Sequence, residues 1–117
     1  MKFALLIYGD EGSWEALSDE GRAQMYAQHE AFGSWLEESG YDRGGEELHP
    51  SDRAKTVRAD GERITVSDGP FAETKEQLGG LYLIECPSID DAVEAARRLP
   101  AQIVEVRPIV GSEERPD

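Results

Sequence analysis

Residues Ser67–Gly80 read SDGPFAETKEQLGG, and the rest of the chain is organised around them. The stretch opens on Asp68-Gly69-Pro70, residue types that reverse a chain because Pro presets φ and Gly tolerates left-handed backbone. Glu73, Thr74, Lys75, Glu76 and Gln77 follow, and Gly79-Gly80 closes it. On either side stand runs with strand character, Glu62–Val66 and Leu81–Cys86. This is longer than a plain strand connection, and long surface loops often carry function.

Moving toward the N-terminus, Lys55–Ala59 and Glu62–Val66 flank Asp60-Gly61, a pair that favours a two-residue hairpin turn. Further back the pattern weakens: Gly44-Gly45 loosens the chain, and Glu46–His49 reads as a short strand. Before that lies a helix. Ser18 is a suitable N-cap, and Asp19 and Glu20 favour the positive end of the helix dipole. Met25, His29, Phe32 and Leu36 recur at helical spacing, and Gly40 stands where a helix ends. Gly21 and Gly33 weaken this helix. The chain begins with Lys2–Tyr8, apolar on both alternating faces: Phe3, Leu5 and Ile7 on one, Ala4, Leu6 and Tyr8 on the other. A strand of that kind is covered on both sides, so it belongs at the centre of its sheet. Gly9–Gly12 reads as the turn that ends it.

Toward the C-terminus, Gly80–Cys86 is an apolar strand stopped by Pro87. Ser88 and Asp91 form a capping box, in which each satisfies a free N–H of the other. The second helix is expected to run to about Leu99, with Ile89, Val93 and Ala96 on one face, and Pro100 ends it. Ile103–Val110 is the last strand. The polar segment Gly111–Asp117 is expected to fray, leaving 1–110 as one domain.

The order is β-α-β-β-β-α-β, or βαββαβ if Glu46–His49 is discounted. It predicts an α+β fold: a ferredoxin-like sandwich with an antiparallel sheet. Two helices cover one sheet face. The second apolar face then needs a cover, and a homodimer packed sheet on sheet supplies one. A hydrated ligand cavity on that face is the competing expectation.

Composition narrows the function. The formal net charge is −13, and Lys and Arg form no stripe. Such a chain repels nucleic acid backbones and anionic membranes, so neither is an expected partner. No apolar run approaches the roughly 20 residues of a membrane helix, and MKFALLIYG lacks the cleavage pattern of a signal peptide. The single cysteine, Cys86, permits no intrachain disulfide and fits a reducing cytoplasm. It reads as a small buried hydrophobe, since nothing nearby in sequence would activate a thiolate. Two histidines, neither in an HExxH or HxxxH pattern, give no metal site. Gly79-Gly80 precedes a strand, not a helix, so it is no phosphate loop, and no cofactor is expected.

The run Val66–Gly80, VSDGPFAETKEQLGG, resembles the signature of the DGPF group within the YCII-related family. MKFALLIYG at the start, AKTVR at Ala54–Arg58, LYLIE at Leu81–Glu85 and VEVRPI at Val104–Ile109 resemble that family in the same order. The resemblance implies a dimeric α/β-barrel arrangement of ferredoxin-like subunits, with a cleft between helices and sheet. It also implies a His–Asp pair as candidate catalytic groups, and neighbouring sigma factors that hint at regulation. By position, His29 and Asp68 are the pair in this sequence.

Each candidate has a bland alternative. His29 lies on the core-facing side of its helix, where it is either a general base held by a carboxylate or a core-edge histidine with one hydrogen bond. Asp68 is either an acid–base group or a residue that accepts an N–H within its own turn. Tyr8, Arg58, Phe71, Lys75 and Gln77 are the expected ligand-binding residues, although a charged run such as Glu73–Gln77 is commonly a solvated face. Glu105 and Arg107 share a face with Ile103 and Ile109, as an ion-paired dimer interface or a pocket floor would. The expectation is a homodimer that binds a small molecule, with a regulatory role. The alternative is a cofactor-free enzyme, a lyase or isomerase, working through His29 and Asp68.

Overall fold

The structure, a computed structural model, describes residues 1–112. The chain runs β1 (Lys2–Gly9), α1 (Glu11–Glu15), α2 (Asp19–Ser39), β2 (Asp42–Glu47), a 3-10 turn (Ser51–Arg53), β3 (Lys55–Asp60), β4 (Arg63–Asp68), β5 (Gln77–Glu85), α3 (Ile89–Ala96) and β6 (Ile103–Pro108). Four strands form one antiparallel sheet in the order β2-β5-β1-β6. The doubly apolar β1 is therefore interior, as its pattern predicts. β3 and β4 pair only with each other.

Helices α2 and α3 cover one face of the large sheet. Phe3 and Leu5 of β1 and Ile84 of β5 meet Phe32 and Leu36 of α2 and Ala92 and Ala95 of α3. Cys86 and Leu99 complete this core, and all nine residues are buried. Each large apolar side chain buried there contributes roughly 1.5–3 kcal/mol relative to exposure in water. The helix ends follow from their sequence. Ser18 Oγ accepts from Gly21 N at 3.0 Å, Ser88 Oγ accepts from Asp91 N at 3.2 Å, and Gly40 caps α2. The arrangement is α+β with an antiparallel sheet, consistent with a ferredoxin-like frame.

Several expectations are corrected. The expected short strand Glu46–His49 starts earlier, at Asp42, and is an edge strand of the main sheet, not a dispensable one. The hairpin with the stronger local signal leaves that sheet instead. Its turn is Gly61-Glu62, one residue later than expected, because only Gly61 takes a left-handed φ of 60° between the paired Asp60 and Arg63. The long loop shrinks to Gly69–Glu76 as β4 extends to Asp68 and β5 starts at Gln77. The turn expected at Gly9–Gly12 becomes the start of α1, because Asp10 accepts the Gly12 N–H at 2.9 Å and caps it. On α3 the buried residues are Ala92 and Ala95, with Leu99 just beyond its end. Of the expected face Ala96 packs against this core, while Ile89 and Val93 stay exposed, since the small alanines let the helix sit close to the sheet. α3 stops at Ala96, although turns continue to Leu99, and β6 stops at Pro108, short of Val110.

Of the segment expected to fray, Gly111 and Ser112 are described, and Ser112 Oγ accepts from Lys2 N at 3.0 Å. Residues 113–117 lie outside the described residues.

Directly paired residues of adjacent strands share a face. Ala4, Leu6 and Tyr8 therefore stand with Leu83 and Leu81 of β5 and with Arg107, Glu105 and Ile103 of β6. This is the face opposite the helices. Its apolar side chains keep partial exposure, and Glu105 and Arg107 pair across it at 2.7 Å.

Candidate functional site

The expected site residues fall in separate places. The first is a cleft of about 370 Å³. One wall is the connection from β1 into α1. There the Glu11 carboxylate accepts the Ser51 N–H at 2.7 Å and the Ser51 hydroxyl at 2.8 Å, tying α1 to the 3-10 turn. The opposite wall is the Gly69–Gln77 segment. Gln77 Nε2 holds that loop in shape, lying 3.0 Å from Thr74 O and 3.3 Å from Ala72 O, while Thr74 Oγ1 donates to Glu76 O at 2.6 Å. Lys75 lines the cleft with Asp52 and Glu73. The volume falls within the range of small-ligand sites, about 300–1,000 Å³. Two expected ligand-binding residues, Lys75 and Gln77, thus meet here, and Gln77 acts mainly as the brace of the loop.

The second place surrounds His29. Its Nδ1 lies 3.0 Å from the Tyr82 hydroxyl, with the rings nearly parallel and 6.1 Å apart. Tyr82 also packs edge-on against Phe32 at 5.0 Å. Burial pushes the His29 pKa below the ordinary histidine value, and the Glu47 charge partly opposes it. Burial raises the Tyr82 pKa, and the Asp42 and Glu47 charges add to this. Both groups are therefore held neutral at pH 7. Next to them, the Tyr26 hydroxyl donates to the Glu47 carboxylate at 3.1 Å.

The third place is the hairpin base. Asp68 is the last residue of β4, largely exposed, and its carboxylate pairs with the Lys55 ammonium. Gly69 N donates to Ala54 O at 2.8 Å, so the turn after Asp68 is held by the residue that precedes β3. Arg58 Nη2 reaches Phe71 O at 3.3 Å, and Phe71 is 78% exposed. Tyr8 stands apart, on the uncovered sheet face. No hydrogen bond joins His29 to Asp68 among the described residues; Tyr82 serves the one and Lys55 the other.

Tyr82, Glu47, Glu11 and Ser51 are functional candidates that the sequence reading passed over. Alternation within LYLIE does put Tyr82 on the same face as Ile84, but which face meets α2 is a matter of topology. Glu11 and Ser51 are 40 residues apart, and no local pattern links them. A further depression of about 390 Å³ lies where α2 passes Arg98 and Pro100, and there the Arg98 guanidinium stacks 4.1 Å from the Trp35 ring centre. It gathers few polar groups. Cys86 is buried, its Sγ 3.4 Å from Ser88 O, and burial pushes its pKa up, as an inert thiol requires.

Among the described residues no group of three or more His, Cys, Asp or Glu is placed to share a metal ion, and no helix is long and apolar enough to cross a membrane. Comparison with known proteins gives one family. The YCII-related domain matches residues 1–111. An uncharacterised protein of Rhizobium meliloti (strain 1021) is 40% identical over 99 residues, covering 85% of this chain and 80% of that protein. From the sequence match across nearly its whole described length, the chain belongs to the YCII-related family.

Proposed function

We propose that this protein is a homodimer of the DGPF type that binds a small polar molecule in the cleft between the start of α1 and the Gly69–Gln77 loop, with a regulatory role in the cytoplasm. The observation that carries this reading is the cleft itself. Two walls from distant parts of the sequence are each braced by their own hydrogen bonds, and Lys75, Asp52 and Glu73 are among the residues that line the space between them. The lining sets the Lys75 ammonium among four carboxylates, Asp10, Glu11, Asp52 and Glu73, of which Asp10 caps α1 and Glu11 holds Ser51. Such a set suits a polar ligand that bears a basic group, with Lys75 placed to take an acidic one. The homodimer reading rests on the uncovered sheet face, where Leu6, Leu81 and Leu83 lie opposite the helices.

The experiment is a thermal-shift screen of polar metabolites against the wild type and Lys75→Ala. A ligand at about 100 times its Kd stabilises the native state by ~2.7 kcal/mol. The reading expects a compound that raises the wild-type Tm and loses that effect in Lys75→Ala. A compound that stabilises both proteins equally would place its site elsewhere.

A second reading is favoured by one specific observation, the 3.0 Å contact of His29 with Tyr82. A cofactor-free lyase or isomerase could use the neutral His29 as general base, with Tyr82 setting its orientation; Asp68, held by Lys55, would act only if it were released. Turnover of a screened ligand that vanishes in His29→Gln would favour the enzyme.

A further inference from the structure

The β3–β4 hairpin is amphipathic, and its apolar side is bare. Cross-strand pairing puts Val57 opposite Val66 and Ala59 opposite Ile64 on one face. Thr56, Arg58, Thr65 and Ser67 occupy the other. The following loop folds back on the polar face alone: Thr56 Oγ1 donates to Gly69 O at 2.7 Å, and Arg58 donates to Phe71 O. On the apolar face Val57, Ile64 and Val66 are 65%, 67% and 64% exposed.

Such a hairpin is hard to account for in one chain. A two-stranded ribbon without a packed face is marginal in water, and bare clusters of β-branched side chains mark interaction surfaces. The hairpin also extends the molecule. The radius of gyration is 16.6 Å, whereas a compact chain of this length has about 13 Å.

Charge identifies the occupant. The chain carries a net −13, so two copies repel each other over most of their surface. Residues Lys55–Asp68 are a stretch where that repulsion is absent. Lys55, Arg58 and Arg63 balance Asp60, Glu62 and Asp68, which leaves the hairpin neutral. Area points the same way. The uncovered face of the four-stranded sheet, at ~4.8 Å per strand and ~3.3 Å per residue, projects to about 400 Å². A stable interface takes ~800 Å² per partner. A planar projection is smaller than the accessible area of the side chains on it, yet a four-stranded face makes a modest interface, and the hairpin adds apolar surface beside it.

We infer that the β3–β4 hairpin is an arm that seats Val57, Ile64 and Val66 on a second copy of this chain, so that each subunit of the dimer embraces the other. The inference rests on the homodimer proposed above and assigns it a second contact. Because Gly69 at the arm's base also lines the cleft, the subunit that receives the arm steadies one wall of its partner's cleft.

The test is sedimentation equilibrium on the wild type, the arm variant Val57→Thr/Ile64→Thr/Val66→Thr and the sheet-face variant Leu6→Asp, with circular dichroism to confirm folding. Threonine keeps strand propensity and removes the apolar contact. Hydrogen exchange of the β3 and β4 amides, in the wild type above and below its dissociation constant, is the second readout. The expected result is a wild-type dimer, a dissociation constant raised at least ~100-fold in the arm variant, and arm amides that lose protection on dilution. An arm variant that dimerises as tightly as the wild type, with arm exchange indifferent to dilution while Leu6→Asp is monomeric, overturns the arm and leaves the sheet-on-sheet dimer standing. A wild type that is monomeric at about 100 μM, well above the dissociation constants of stable dimers, overturns both.

Discussion

Replacing Tyr82 with Phe isolates one hydrogen bond. The hydroxyl lies 3.0 Å from His29 Nδ1, and the ring packs against Phe32 and the imidazole. Phenylalanine keeps the ring contacts and removes only the oxygen. A net intramolecular hydrogen bond contributes about 0.5–1.5 kcal/mol. Because both side chains are only half-buried, water can replace part of it, so the lower half of that range applies. Tyr82→Phe should therefore unfold at lower urea with an unchanged m-value and lose about 0.5–1 kcal/mol. The same site makes a pH prediction. Burial holds the His29 pKa below its unfolded value, so the unfolded chain binds the proton more readily. The stability that neutral His29 contributes is complete above the unfolded pKa of about 6.5 and is lost as pH falls below it toward the folded value. Urea titrations of the wild type and His29→Gln at several pH values between about 7.5 and 5 measure this directly. The wild type should lose stability relative to the variant on acidification. A stability difference that does not change with pH, or that moves in favour of the wild type in acid, would refute the account of His29 as a desolvated neutral base. A Tyr82→Phe protein as stable as the wild type would refute the hydrogen bond.

The fold makes three more predictions. Leu36→Ala, at a fully buried position, should cost about 2–5 kcal/mol in denaturant unfolding. Gly45→Ala places a methyl 2.9 Å from Leu81 O and 3.0 Å from the Tyr82 ring, so β2 must move off β5; a loss of about 1–3 kcal/mol is expected, together with faster hydrogen exchange of the β2 amides. Gly33→Ala, inside α2 with nothing within 4 Å of the added carbon, should instead gain about 0.5–1 kcal/mol, seen as a higher Tm.

Much of the frame is legible without coordinates. Lys2–Tyr8 is apolar on both faces, and a strand buried between neighbours is the arrangement that satisfies both; β1 lies between β5 and β6. The caps Ser18, Ser88 and Gly40 act through their immediate neighbours, so their positions follow from residue type. The spacing of Phe32 and Leu36 picks the buried stripe of α2, although the same reasoning applied to α3 chose Ile89 and Val93 with Ala96, where Ala92 and Ala95 are the buried residues.

What sequence alone determined, then, is much of what depends on near neighbours: the existence of the main strands and of α2 and α3, their N-caps, a reversal close to Gly61 and the family to which the pattern is similar. Only the tertiary structure decided which strands share a sheet. The hairpin signal at Asp60-Gly61 is local and strong, yet β3 and β4 stand apart, while the weakly patterned Asp42–Glu47 joins β5. Strand pairing over long sequence separations depends on which faces can be buried together, and a turn signal carries no information about that. The candidate site divides for the same reason. His29 and Asp68 each read as one half of a pair. The register that sets Tyr82 opposite Leu5 gives His29 a tyrosine, and the register that sets Lys55 opposite Asp68 gives the carboxylate a lysine. Proximity between residues 53 or 40 positions apart, as for His29 with Tyr82 and Glu11 with Ser51, is created by packing, and packing is a property of the whole chain at once.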